Sequence, residues 1–178
     1  KARYAAPYQP VGQVKEIAGE KLLFGKGDHP VLPGDFLWIG RKGETAGLKP
    51  PKAWFRAETV LLQSGVGRLL DGAKAEVQTG DPVFTPQKPR IYLYSNIAGS
   101  PAYGELLKAL LAHGFQVREI EKTGDLEQTV RPHALLLKLE AREKRLAYRL
   151  IRPAEGQTLF FDTAPAPSPL KTAKKAGP

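Results

Sequence analysis

His133-Ala-Leu-Leu-Leu-Lys-Leu-Glu-Ala-Arg-Glu-Lys-Arg-Leu-Ala-Tyr-Arg-Leu-Ile-Arg-Pro-Ala-Glu-Gly-Gln-Thr-Leu-Phe-Phe-Asp162 reads either as three strands or as one long helix with a return. Leu135, Leu137, Leu139 and Ala141 alternate with more polar neighbours. Leu146, Tyr148 and Leu150 do the same beyond a tight turn at Arg142–Lys144. A period of two places each set on one face of a sheet. Pro153-Ala-Glu-Gly156 then reverses the chain, with Gly156 free to take a positive φ, and Thr158–Phe161 returns. Leu, Glu, Lys, Arg and Ala are also good helix formers, so a helix over Leu135–Ile151 competes. Alternation on both sides of Arg142–Lys144 favours three antiparallel strands.

Immediately upstream the pattern differs. Gln87-Lys-Pro-Arg90 marks a boundary, and Arg90–Tyr94 reads as a strand. Ser100-Pro101 is a helix start, with Ser as N-cap and Pro in the first turn. Tyr103, Leu106, Leu107 and Leu110 form an apolar stripe, Gly114 ends the helix, and Phe115–Ile120 is the next strand. Strand, helix and strand predict a parallel pair with a right-handed crossover. Gly124–Arg131 reads as a loop or a short helix.

Val11–Pro86 reads as a small β-rich unit with strands at Val11–Ile17, Lys21–Phe24, Asp35–Arg41, Trp54–Leu62, Val66–Leu70 and Pro82–Thr85. Leu32-Pro-Gly-Asp-Phe-Leu-Trp-Ile39 is echoed by Gln78-Thr-Gly-Asp-Pro-Val-Phe84. In each, Gly permits a turn and Asp can bond its own backbone before an apolar strand begins. Short strands at regular spacing predict a closed or half-closed barrel. Gly43–Lys52 is its longest loop. The expected fold class is α+β: a small β-barrel domain (11–86), then a mixed α/β domain with β-α-β and an antiparallel meander (87–163). An arm or linker (1–10) precedes them, and a Pro-rich basic tail (164–178) follows.

Composition bounds the function. At 178 residues and 42% hydrophobic the chain can bury real cores. Its net charge is +9, and Lys171, Lys174 and Lys175 of the tail contribute three of those charges. Such a balance favours acidic partners: nucleic acid, anionic lipid headgroups or an acidic protein. With no Cys, thiolate catalysis, disulfides and Cys-based metal sites are excluded. With no Met, the expectation is a removed leader or a fragment. No apolar run is long enough to span a membrane as a helix.

Ser100-Pro-Ala-Tyr-Gly-Glu-Leu-Leu-Lys-Ala-Leu-Leu-Ala-His-Gly-Phe-Gln-Val117, then the meander closing with Leu150-Ile-Arg-Pro-Ala-Glu-Gly-Gln-Thr-Leu-Phe160, resembles a recurring envelope module. It is similar to the amino-terminal domain of TolB and to related domains of outer-membrane lipoproteins and curli-type secretion proteins. The Gly-Asp barrel resembles the small β-domain of the periplasmic flagellar assembly protein T family, in which the two modules occur in the other order. The resemblance covers residues 11–162. It implies a non-enzymatic periplasmic role: assembling, anchoring or coupling a secretion, motility or surface machine. Envelope proteins are the partners it implies, with membrane or cell-wall association and a place in a larger oligomeric assembly.

Each candidate site also has a plainer use. Pro33-Gly34-Asp35 is also similar to a strand of signal peptidases, but that chemistry needs a Ser shortly upstream, and Ser64, Ser95, Ser100 and Ser168 all follow. Gly99-Ser-Pro-Ala-Tyr-Gly104, with Glu119 and Glu121 beyond, is only a fragment of a dinucleotide fingerprint. His29, His113 and His133 lack metal-ligand spacing. No catalytic, cofactor or metal residue and no small-molecule substrate is expected. The candidate partner surface is Lys138, Arg145, Arg149 and Arg152 of the meander, with Trp54 of the barrel. Arg145 and Arg149 share one face, where they can also hold phosphates. Tyr92 and Tyr94 suit either stacking on bases or burial under the helix, and burial is preferred. Nucleic-acid binding, with a cytoplasmic location, is the alternative function.

Overall fold

The computed structural model describes residues 8–44, 51–70, 76–121 and 134–166. Residues 1–7 of the expected arm, most of the Gly43–Lys52 loop, Gly124–Arg131, His133 and the basic tail from 167 onward lie outside the described residues. Two compact units divide the chain: Lys1–Pro89 with Leu111–Gln116, and Arg90–Leu110 with Val117–Pro178.

Six strands close the first unit into a barrel: β1 (Tyr8–Ala18), β2 (Lys21–Gly25), β3 (Phe36–Ile39), β4 (Ala53–Val60), β5 (Ser64–Leu69) and β6 (Pro82–Pro86), in the order β1-β2-β5-β4-β3-β6. Every pairing in it is antiparallel, and β6 pairs both β3 and β1. Tyr8–Pro10, expected as the end of an arm, begin β1 instead. Their backbone pairs with Pro86, Thr85 and Phe84, which closes an edge that would otherwise stay open. β1 pairs β6 through Tyr8–Gln13 and β2 through Val14–Ala18, with a register shift in each pairing, between Pro10 and Gly12 and between Val14 and Glu16. Such bulges bend a strand and sharpen its twist.

The interior follows from alternation. Leu37 and Ile39 point inward with Phe55, Phe24, Leu22, Val14 and Val83, all 0–2% exposed. Each such side chain contributes about 1.5–3 kcal/mol when fully buried. Phe24 and Phe55 meet with ring centroids 5.0 Å apart. The opposite phase of the same strands forms a second aromatic cluster on the barrel's outer wall. Trp38 stacks on Phe84 at 4.7 Å and lies 6.2 Å from Trp54, with the Tyr8 ring edge-on at 4.8 Å.

The paired Gly-Asp phrases form paired turns. Asp35 N–H donates to the Leu32 carbonyl (3.0 Å) while Asp35 Oδ2 accepts from Leu32 N–H (2.9 Å). Asp81 repeats this with Gln78 at 3.1 and 2.8 Å. Gly34 and Gly80 take φ of 88° and 89°, the position that a type II turn reserves for glycine.

The second sheet runs β11 (Gln157–Pro165), β10 (Arg145–Arg152), β9 (Leu135–Arg142), β7 (Lys88–Ser95), β8 (Phe115–Ile120). Helix α1 (Pro101–Ala112) lies between β7 and β8 in the chain, so the architecture is α+β. Ser100 caps it: Oγ accepts from Tyr103 N–H (3.2 Å), and the carbonyl accepts from Gly104 N–H (3.1 Å). β9, β10 and β11 are the three antiparallel strands read from the sequence, and no helix covers Leu135–Ile151. Glu143-Lys144 joins β9 to β10, and a single 3-10 turn, Pro153–Glu155, followed by Gly156 at φ 62° reverses into β11. β8 neighbours β7 in the sheet, and β9 pairs β7 in parallel, from Ile91↔Leu135 to Ser95↔Leu139.

Candidate functional site

Register sorts the second sheet into two faces. On one, Ile91, Leu93, Leu137, Leu139 and Leu146 are 0–9% exposed, and Tyr103, Leu107 and Val117 are buried in the same unit. Tyr92 and Tyr94 stand on the other face and are half-exposed; Leu136, opposite Tyr92 on this face, is buried, so the face is open at its Tyr94–Lys138–Arg149 end. The expected burial of these tyrosines under the helix is therefore corrected. Ile91 and Leu93 take the buried phase, because an aliphatic side chain leaves no hydroxyl to satisfy there.

The open face carries a cross-strand row. Tyr94 is opposite Lys138, Lys138 opposite Arg149, and Arg149 opposite Phe161. Lys138 Nζ lies 5.9 Å from the Tyr94 ring centroid, and Arg149 Cζ lies 5.4 Å from that of Phe161. Both are cation–π distances. Arg145, two positions along β10 from Ala147, reaches across to Thr163, its Nη2 donating to Oγ1 at 2.8 Å. Two guanidiniums of β10 thus lean onto β11, the outermost strand.

Charge on this face is unbalanced. Glu140 is matched by Arg142 at 3.2 Å. Lys138, Arg145 and Arg149 have no ion pair with a carboxylate among the described residues. Asp162 is opposite Tyr148 and so belongs to the other face. β11 itself is exposed over most of its length, with Leu159 at 40% and Phe160 and Phe161 at 54%. Beyond β10 it has no second neighbour in the sheet among the described residues.

Of the residues expected at a partner surface, Lys138, Arg145 and Arg149 are brought together. Arg152 is not: it falls on the opposite phase and pairs with Glu155 at 3.1 Å. Trp54 is not either. At 6% exposure it is buried beside Trp38 and Tyr8. Phe161 and Thr163, which receive the two arginines, carried no signal beyond the aromatic pair Phe160-Phe161 at a strand's end.

Chemistry elsewhere is sparse. Among the described residues no three His, Asp or Glu side chains converge to hold a metal ion. The start of α1 is occupied by its own cap. Lys26 is buried, with Nζ donating to the Gly27 and His29 carbonyls (3.3 and 3.1 Å), a loop-closing use. No helix among the described residues is long and apolar enough to cross a membrane. No family model matches the chain, and neither a curated protein nor a solved structure matches it.

Proposed function

We propose that this chain is a non-catalytic adaptor of the cell envelope, resident in the periplasm, that helps to assemble, anchor or couple a larger machine through protein contacts. The observation that carries the reading is β11: an outermost strand with Leu159, Phe160 and Phe161 exposed in succession. Edges of this kind recruit further strands unless they are blunted. The barrel followed by a helix-bearing mixed sheet is in keeping with the envelope modules that the sequence resembles.

Protease added to source cells before and after the outer membrane is opened tests the location, with an antibody to this chain as readout. Protection until the outer membrane opens, followed by cross-linking to envelope proteins, is the expected result. Protection until the inner membrane is lysed overturns the periplasmic assignment. A single turnover of a small substrate by the purified chain overturns the non-catalytic one.

A second reading, nucleic-acid binding, is favoured by one observation: Tyr92, Tyr94 and Phe161 share an open sheet face with three unbalanced cations. Stacking on aromatic side chains combined with phosphate contacts is how single strands are held. A labelled single-stranded oligonucleotide would bind at low salt and dissociate steeply as salt rises. No binding at low salt removes this reading.

A further inference from the structure

We infer that the β4–β5 end of the barrel is a membrane-docking tip, which lowers Leu61 and Leu62 into the interfacial layer of a lipid surface with Leu32 beside them. The inference goes beyond the adaptor reading and needs neither the periplasmic location nor a protein partner.

The sequence departs from turn chemistry at this point. Exposed turns are normally built from Gly, Asn, Asp, Ser and Pro. Here β4 runs into Leu61-Leu62-Gln63 before β5 starts at Ser64. Leu61 is 62% exposed and Leu62 84%, the highest values among the large apolar side chains described. Neither belongs to the barrel core. Charged residues make up 25% of the chain, yet none occurs from Thr59 through Gly67. A local rule broken with no gain in folding is the mark of a functional position.

The leucines are held on a fixed backbone. Leu61 N–H donates to the Ser64 carbonyl at 2.8 Å, and Val60 pairs with Gly65. The loop that carries Leu32 is tied to the same hairpin twice. Lys26 N–H donates to the Gln63 carbonyl at 3.0 Å, and Gly34 N–H to the Ala57 carbonyl at 2.7 Å. Leu32, itself exposed, has its N–H held by Asp35 Oδ2. Burying these side chains therefore requires little of the ordering that a floppy loop would need.

The occupant follows from what the tip offers. β4 and β5 are each paired on both sides in the closed barrel, so no edge is open here for an added strand. Three leucines on a protruding turn fall far short of the roughly 800 Å² a side that a specific protein interface takes, whether with a partner or with a second copy of the chain. A lipid interface asks for apolar area and not for a matching shape. In the loop beside the tip Asp28 is the exposed ionisable group, and Lys26 is buried on backbone carbonyls. Contact at the tip is thus apolar, while the net charge of +9 draws the whole chain towards an anionic leaflet.

The test uses the full chain and vesicles of phosphatidylcholine with phosphatidylglycerol. The chain has no Cys, so Gln63→Cys provides one site for a nitrobenzoxadiazole label beside two intact leucines. Lys42→Cys, exposed beyond the other end of β3, is the control. On adding vesicles the label at 63 is expected to shift to the blue and to be quenched by spin labels on the lipid tails, and the label at 42 to do neither. In flotation of the unlabelled chain, Leu61→Asn and Leu62→Asn should each lower the partition coefficient by about tenfold. Unchanged tryptophan emission shows that the variants keep the barrel.

Flotation undiminished in the double variant L61N/L62N, or a label at 63 that stays in water while the chain floats, assigns membrane contact to the cations and overturns the inference. So does a blue shift that grows with protein concentration in the absence of vesicles, since the tip then meets a second copy. Absence of vesicle binding overturns it as well. Cross-linking to envelope proteins that persists in L61N/L62N leaves the adaptor reading standing in each of these cases.

Discussion

Lys52 Nζ lies 2.8 Å from Asp81 Oδ2 and 3.0 Å from Oδ1, and Asp81 is 1% exposed. The carboxylate that shapes the second Gly-Asp turn therefore also anchors the residue that leads into β4. Lys52 is held a second time, its N–H donating to the Ile39 carbonyl at 2.8 Å. Asp35 in the first turn has the same backbone bonds but is only half-buried. Breaking a buried pair leaves a charge without its partner and costs more than losing one exposed hydrogen bond. Asp81→Ala should thus destabilise the barrel by about 3 kcal/mol. Both tryptophans of the chain are in the barrel, so urea unfolding followed by their fluorescence reads this unit selectively. A cost for Asp81→Ala no larger than that of one exposed hydrogen bond, about 1 kcal/mol, would refute the assignment.

Gly12 lies where β1 crosses close to β2. A Cβ there would overlap the backbone carbonyl of Gly25, which cannot rotate away as a side chain can. Gly12→Ala should cost about 1–3 kcal/mol, the usual cost of overpacking. Gly104→Ala, where a Cβ meets open space in α1, should stabilise by about 0.5–1 kcal/mol. Thermal melts of the two variants, moving in opposite directions, check the pair.

Glu143 is the one non-glycine residue with a positive φ among the described residues, at 55°. It occupies the first loop position of the β9–β10 hairpin, where two-residue turns of one common type want glycine. Glu143→Gly should stabilise the second unit by about 1 kcal/mol through relief of that conformation. Slower hydrogen exchange at Leu139 and Tyr148, which face each other across β9 and β10, is the readout.

Glu58 lies between Arg68 (2.8 Å) and Lys21 (3.3 Å) on the barrel wall. Hydrogen bonds from Arg68 and then Lys21 hold its carboxyl below the usual carboxylate range. The sign follows: a lowered folded-state value gives stability that is fully present above the ordinary Glu range and lost as pH falls through the lowered value. NMR titration of the Glu58 side chain should give a midpoint below that of a free Glu, and Arg68→Gln should raise it. Screening makes the stability effect small, since the pair is exposed.

The strands were legible because their apolar residues alternate, and the Gly-Asp turns because Gly and Asp act on their own backbone. What was hidden lay in phase and reach. Ile91-Tyr-Leu-Tyr94 has apolar groups on both phases, so period two does not say which phase is buried. Trp54 sits between buried Ala53 and Phe55, and its own phase is covered by Trp38 and Tyr8. Arg152 looks like one more cation of the row, but Glu155 three residues on pairs with it. Lys52 and Asp81 are joined across 29 residues, beyond any local pattern. The lean of Arg145 and Arg149 depends on rotamers, which no spacing encodes.

β6 closes the barrel with proline at both ends; Val83 and Phe84 pair with β3, and the Pro82 carbonyl accepts one further bond from Gly40 N–H just beyond it, at 2.9 Å. Proline contributes no N–H to a ladder. Closure at this seam is therefore a matter of ring contact more than of hydrogen bonding, with Trp38 against Phe84 as its clasp. A cylinder fastened this way has a preferred place to unzip. Local opening would start between β3 and β6, turning the cylinder into a curved six-strand ribbon with its other five seams intact, before the chain as a whole lets go.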